Sequence, residues 1–137
     1  MQRSKVVSLL ILIALAFISC SKEGASSPTD AYKSFSQAAQ KRDAAAMKKL
    51  VASSFLDRAQ SRAKSKNQSV DDYLVASAED YANFEGEPRN EQVKGDSATL
   101  DVKVKEASGG GWITLSFVKE GGWKIIPDEM RPAKNGP

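Results

Sequence analysis

The sequence predicts an α+β fold in which N-terminal helices pack on a curved antiparallel sheet. Three observations predict it. Between Ser27 and Tyr81, apolar residues recur at helical spacing behind capping residues. Beyond Glu91 the period becomes two, and the glycines concentrate where successive strands must reverse. Helices first and hairpin strands afterwards place the helices on one face of the sheet.

Ser27, Pro28 and Asp30 form a helix start: a cap residue, proline at the first helical position and an acid in the first turn. Ala31, Phe35, Ala38 and Ala39 form its stripe, with Tyr32 at the edge. "QKRD" ends this helix, and Asp43 caps a second one expected to carry Met47, Leu50, Val51 and Phe55 on one face, completing an αα-hairpin. The segment from Asp57 to Gln68 shows no apolar period and reads as a surface helix end or loop. Ser69, with Asp72 three residues on, starts a third helix with Val70, Tyr73, Leu74, Ala78 and Tyr81 on its stripe. The helical pattern stops around Asn83 to Pro88. Gln92 and Val93 then belong to a strand, and Leu100, Val102 and Val104 alternate with Asp101, Lys103 and Lys105 as a half-buried second one. "SGGG" turns the chain, "WITLSFVKE" forms the next strand, "GG" turns again, and "WKIIP" closes the sheet.

The first 19 residues have the parts of a secretory signal peptide: basic Arg3 and Lys5, an apolar block from Val6 to Ile18 interrupted only by Ser8, and small Ser19. The block is short for a membrane span, which takes about 20 apolar residues; the competing reading is an uncleaved anchor. Cys20 follows as the only cysteine, so it has no intrachain disulfide partner. Residues 20 to 26 read as this cysteine and a short flexible tether, 27 to 130 as a single domain, and 131 to 137 as a flexible tail. Of the 20 basic residues, Arg3 and Lys5 leave with the signal, so 18 face 17 acidic ones and the mature chain is nearly neutral. The basic clusters are short, and a nucleic-acid partner is not expected.

There is no histidine in the chain, which excludes Cys/His or Ser/His catalysis and histidine-bearing metal sites; neither metal nor cofactor is expected. Asp72 has a capping role beside Asp71. Asp128 and Glu129 read as solvated charge, and calcium would need further oxygen ligands at defined spacing. "SGGG" lacks the lysine and following helix of a phosphate loop. Lys103, Lys105, Lys119 and Lys124 could form a basic stripe facing anionic headgroups, although solvated strand faces look the same.

Phe17, Ile18, Ser19 and Cys20 resemble the lipobox of bacterial lipoproteins, with Phe17 where leucine is commoner. The resemblance implies acylation of Cys20, which becomes the first mature residue and holds the protein to membrane lipid. Ser21 in place of the aspartate associated with inner-membrane retention implies the periplasmic side of an outer membrane, if the organism has one. "SPTDAYKSFSQAAQKRDAAAMKKLV" and "FVKEGGWKIIPDE" are similar to the opening helical hairpin and closing strand hairpin of small bacterial lipoproteins classed as domain of unknown function 4878, whose fold is cone-shaped, cystatin-like or nuclear-transport-factor-2-like. That resemblance covers roughly Ser27 to Met130. It would place Tyr32, Tyr73, Tyr81, Trp112 and Trp123 at or near the walls of a pocket, though simple core packing explains these aromatics without a ligand and is the favoured reading. Enzymes of that fold, such as ketosteroid isomerases, use pocket carboxylates with tyrosine or histidine. None of their motifs maps onto this chain, and Asp80 beside Tyr81 is the nearest acid and phenol combination. The expected function is a non-catalytic envelope module binding a small ligand or a neighbouring protein. The alternatives are a small hydrolase or isomerase using a pocket carboxylate, and a structural role in the envelope.

Overall fold

A computed structural model describes residues 24–134. The signal segment, Cys20 and the last three residues lie outside the described residues. The fold is α+β: α1 (Pro28–Gln40), α2 (Ala44–Leu50), α3 (Ser53–Ser65) and α4 (Val70–Ser77), then β1 (Phe84–Lys94), β2 (Ser97–Val104), β3 (Trp112–Lys119) and β4 (Trp123–Pro132). The strands form an open antiparallel meander in the order β1-β2-β3-β4.

The three predicted caps are present. Ser27, Asp43 and Ser69 each accept from the backbone N–H three residues on, at 3.0, 3.0 and 3.1 Å, a bond that contributes about 1 kcal/mol per helix. The helix without a capping side chain of its own, α3, borrows one. Glu120, from the turn between β3 and β4, accepts from both the Ser53 N–H and the Ser53 hydroxyl at 3.0 Å, which places an anion at the positive end of the helix. Glu91 of β1 accepts from Thr29 N–H at the start of α1 in the same way, at 2.9 Å.

α1, α2 and α3 pack against the inner face of the sheet, and α4 packs on α2 and α3. Ala31, Phe35, Met47, Phe55, Ala59 and Leu74 meet Leu100, Val102, Leu115, Phe117 and Ile125 in one continuous core. Burial of each large side chain there contributes roughly 1.5–3 kcal/mol.

Four expectations change. The second helix does not continue to Phe55. It ends at Leu50 because Val51 turns extended and bridges Ile125 in parallel, with the Ala52 N–H donating to the Ile125 carbonyl at 2.9 Å. The open edge of β4 outcompetes the next helical hydrogen bond. The polar segment from Asp57 onward is then the body of α3, whose buried stripe is Phe55, Ala59 and Ala63; beyond Phe55 the stripe is two alanines, which carry too little hydrophobicity to show as a period. At its end α4 tightens into a 3-10 turn over Glu79–Asn83 that still buries Tyr81.

The fourth change is in the strands. β1 begins at Phe84 and runs through Gly86 and Pro88, with register shifts on either side of Arg89 and a positive φ of 52° at Asn90. An edge strand tolerates such residues because only one of its sides is paired. β4 runs past "WKIIP" to Pro132 across an irregularity opposite Leu115 and Ser116, so Arg131 and Pro132 are sheet where a tail was expected. The tether is also engaged: Trp123 N–H donates to the Ala25 carbonyl at 2.9 Å, and Ala25 bridges Trp123.

The position of α3 against the core gives a stability prediction. Ala59→Leu overpacks a site with 0% exposure and is expected to cost about 1–3 kcal/mol by urea denaturation, while Gln60→Leu on the exposed side changes stability by less than about 0.5 kcal/mol.

Candidate functional site

The alternation that sends Leu100, Val102, Leu115 and Phe117 into the core leaves their neighbours on the opposite, helix-free face. Register sorts these into rows. Arg89, Asp101, Thr114 and Arg131 are aligned across all four strands; Gln92, Thr99, Ser116 and Ile126 form the next row.

At the centre lies Asp101. The alternation predicts it exposed, yet it is 8% exposed and its partner Thr114 9%. Burial is made tolerable by hydrogen bonding, as a buried carboxylate requires. Thr114 Oγ1 donates to Oδ1 at 2.6 Å, and Asn90 Nδ2 donates to Oδ2 at 2.9 Å. The left-handed backbone at Asn90, beside the irregularity in β1, accompanies the reach of its amide over β2.

Around this carboxylate the face forms a groove of about 620 Å³. Gln92, Thr99, Ser116 and Val118 line it, and Lys94, Glu129, Arg131 and Lys134 stand around it. Hydroxyls and amides dominate the floor and cations outnumber anions at the margin. Arg89, in the row of Asp101, stacks on Trp112 of the next row, its Cζ 3.6 Å from the ring centroid.

The five aromatic candidates do not share one wall. Tyr81 is buried between Phe35 and Phe84, with edge-to-face centroid distances of 4.8 and 5.2 Å, and burial pushes its phenol well above the ordinary range. Tyr32 is buried in the same core, where burial also raises its phenol, and Trp123 packs into that core from β4. Tyr73 packs half-buried against the edge of that core, accepting from Arg62 Nη1 at 3.3 Å, and Trp112 lies on the open face. On the helix side a smaller cavity of about 260 Å³ is lined by Ser36, Arg42, Val75, Glu79 and Tyr81. The hydroxyls of Ser36 and Tyr81 are buried without a hydrogen-bond partner; that of Ser36 lies near the Tyr32 phenol, outside bonding geometry. Asp80, the acid next to Tyr81, is exposed.

The acidic pairs have local partners. Asp71 pairs with Lys48, and the Ser69 hydroxyl donates to Asp72 at 2.8 Å. Asp128 departs from the solvated reading: Arg58 binds both its oxygens, at 2.7 and 3.1 Å, and Arg62 approaches at 3.4 Å, tying α3 to β4. The hydrogen bond from Arg58 holds this carboxyl below the usual carboxylate range.

The four lysines weighed for a basic stripe have separate engagements. Lys103 pairs with Glu85 at 3.3 Å, Lys105 donates to the Ala82 carbonyl at 2.7 Å, Lys124 donates to the Lys49 carbonyl, and Lys119 lies 5.9 Å from the Trp123 ring centroid. Among the described residues no three acidic or cysteine side chains are grouped to hold a metal ion, and no helix is long and apolar enough to cross a membrane.

The groove residues escape a strand-by-strand reading. "TLDVKV" and "WITLSFVK" each place their polar residues on the solvent side, and only pairing the two strands brings Asp101 to Thr114 and Thr99 to Ser116. Fold and site together define an α+β domain with a small cavity on its helix side and a larger polar groove on the open face of its sheet. No family model, curated protein or solved structure matches the chain.

Asp128 provides a pH test. Its depressed pKa stabilises the fold above the unfolded value of about 3.9 and is lost as pH falls through the folded one. Arg58→Gln is expected to shrink the loss of stability below about pH 4 in acid denaturation monitored by circular dichroism. Both side chains are partly exposed, 39% and 24%, so solvent screening keeps the effect to about 1 kcal/mol or less at neutral pH.

Proposed function

We propose that this protein is a lipid-anchored envelope lipoprotein, of the cone-shaped kind that resembles domain of unknown function 4878, whose domain binds a ligand or partner protein in the groove on the open face of its sheet. The observation that carries the binding reading is Asp101. Asp101 is a carboxylate on a helix-free face to which Thr114 and Asn90 donate, and the four lone-pair positions of a carboxylate leave room for a ligand hydroxyl or ammonium group. Thr99, Ser116 and Gln92 add polar contacts, and Arg131 and Lys94 suit an acidic or hydroxyl-bearing outer part. The anchor reading is supported by Phe17 to Cys20 and by the short distance from there to the domain.

Each half has its own measurement. Native mass spectrometry of the protein isolated from its own envelope fraction should show an added mass that Ser116→Trp, which fills the groove, lacks; identical spectra for the two would refute the groove. Cys20→Ser should abolish fatty-acid labelling and leave the precursor unprocessed, and normal labelling of that variant would refute the anchor.

A further inference from the structure

We infer that residues Gly24 and Ala25 clamp the tether to the sheet, so that the end of the domain carrying the β3–β4 turn is held facing a phospholipid surface; this rests on the lipid-anchor reading above. Ala25 bridges Trp123 as an added edge partner of β4, its carbonyl accepting from the Trp123 N–H at 2.9 Å. Gly24 lies against Gly122 so closely that a Cβ at position 24 would meet the Gly122 Cα at 2.7 Å, and its φ of +116° is one that residues with side chains rarely adopt. Two independent constraints therefore require glycine there, in a segment whose composition reads as a free leash.

The clamp shortens the leash. Three residues separate Cys20 from Gly24, and at about 3.5 Å per residue an acylated Cys20 stays within roughly 14 Å of the sheet corner. A leash of that length cannot let the domain turn over. The surface around this corner suits anionic headgroups. Lys119 is exposed beside Trp123, Lys49 is exposed at the end of α2, and Lys124 lies between them. The nearby carboxylate of Glu120 is occupied by Ser53. Lys103 and Lys105, engaged with Glu85 and Ala82, lie at the far end of β2.

The test couples the chain from Cys20 to Pro137, which includes every described residue, through its single thiol to a maleimide-bearing lipid. The carrier is vesicles of phosphatidylcholine and phosphatidylglycerol, and lysine acetylation rates are read by mass spectrometry. Lys49 and Lys119 should slow about threefold or more relative to the uncoupled chain, being held within about a Debye length, ~10 Å, of the charged surface. Lys103 and Lys105 should not change. Gly24→Val should release the clamp and erase the difference between the two ends, and a flexible insertion after Ser21 should erase it with the clamp intact. Equal protection at both ends of the parent domain, or a pattern unchanged in Gly24→Val, would overturn the inference. The coupling is chemical, so a failure of fatty-acid labelling in cells would remove the anchor reading without touching this result.

Discussion

The outer edge of β4 presents main-chain donors and acceptors that no fifth strand covers among the described residues, and the N-terminal half of the described chain is arranged to satisfy them. Trp123 N–H goes to Ala25 and the Ile125 carbonyl receives Ala52 N–H. The second of these bonds stops α2, sets the break before α3 and thereby turns α3 so that Phe55, Ala59 and Ala63 enter the core. Further along the same strand Asp128 receives Arg58 and Arg62 from that helix. A sheet edge left open invites pairing with another chain; here the molecule's own backbone, followed by a salt-linked helix, occupies it. Helix position and edge closure are one constraint.

What was legible in the sequence follows from how locally each feature is determined. The caps at Ser27, Asp43 and Ser69 depend on residues within one turn and were plain, as was the alternation of β2 and β3. The break at Val51 was not, because it depends on Ile125, far along the chain, and the apolar spacing from Met47 to Phe55 is helical regardless. α3 was hidden by alanine, which packs closely against the core while contributing little hydrophobic contrast. The start of β1 was masked by Gly86, Pro88 and Asn90, residues that normally mark a loop.

The open face shows the same division. Asp101 is one polar residue in an alternating strand, and its burial comes from neighbours two strands apart in space: Asn90 on one side and Thr114 on the other. Cross-strand pairing is the unit that determines such an environment, and register is not visible in any single segment. The aromatics mislead for the complementary reason. Tyr32, Tyr81 and Trp123 are consumed by the core, and only Trp112, held under Arg89, remains on the side where the groove opens.

The other edge of the sheet is treated differently. β1 carries a proline, two register shifts and a left-handed asparagine along its length, with Glu87 paired to Lys33 on α1. Such a strand cannot offer a regular ladder to a neighbour. Proteins confined to a membrane plane meet one another far more often, and in fewer orientations, than the same number in solution. On the lipid-anchor proposal, an edge strand too irregular to template another disfavours edge-to-edge pairing between crowded copies of this domain.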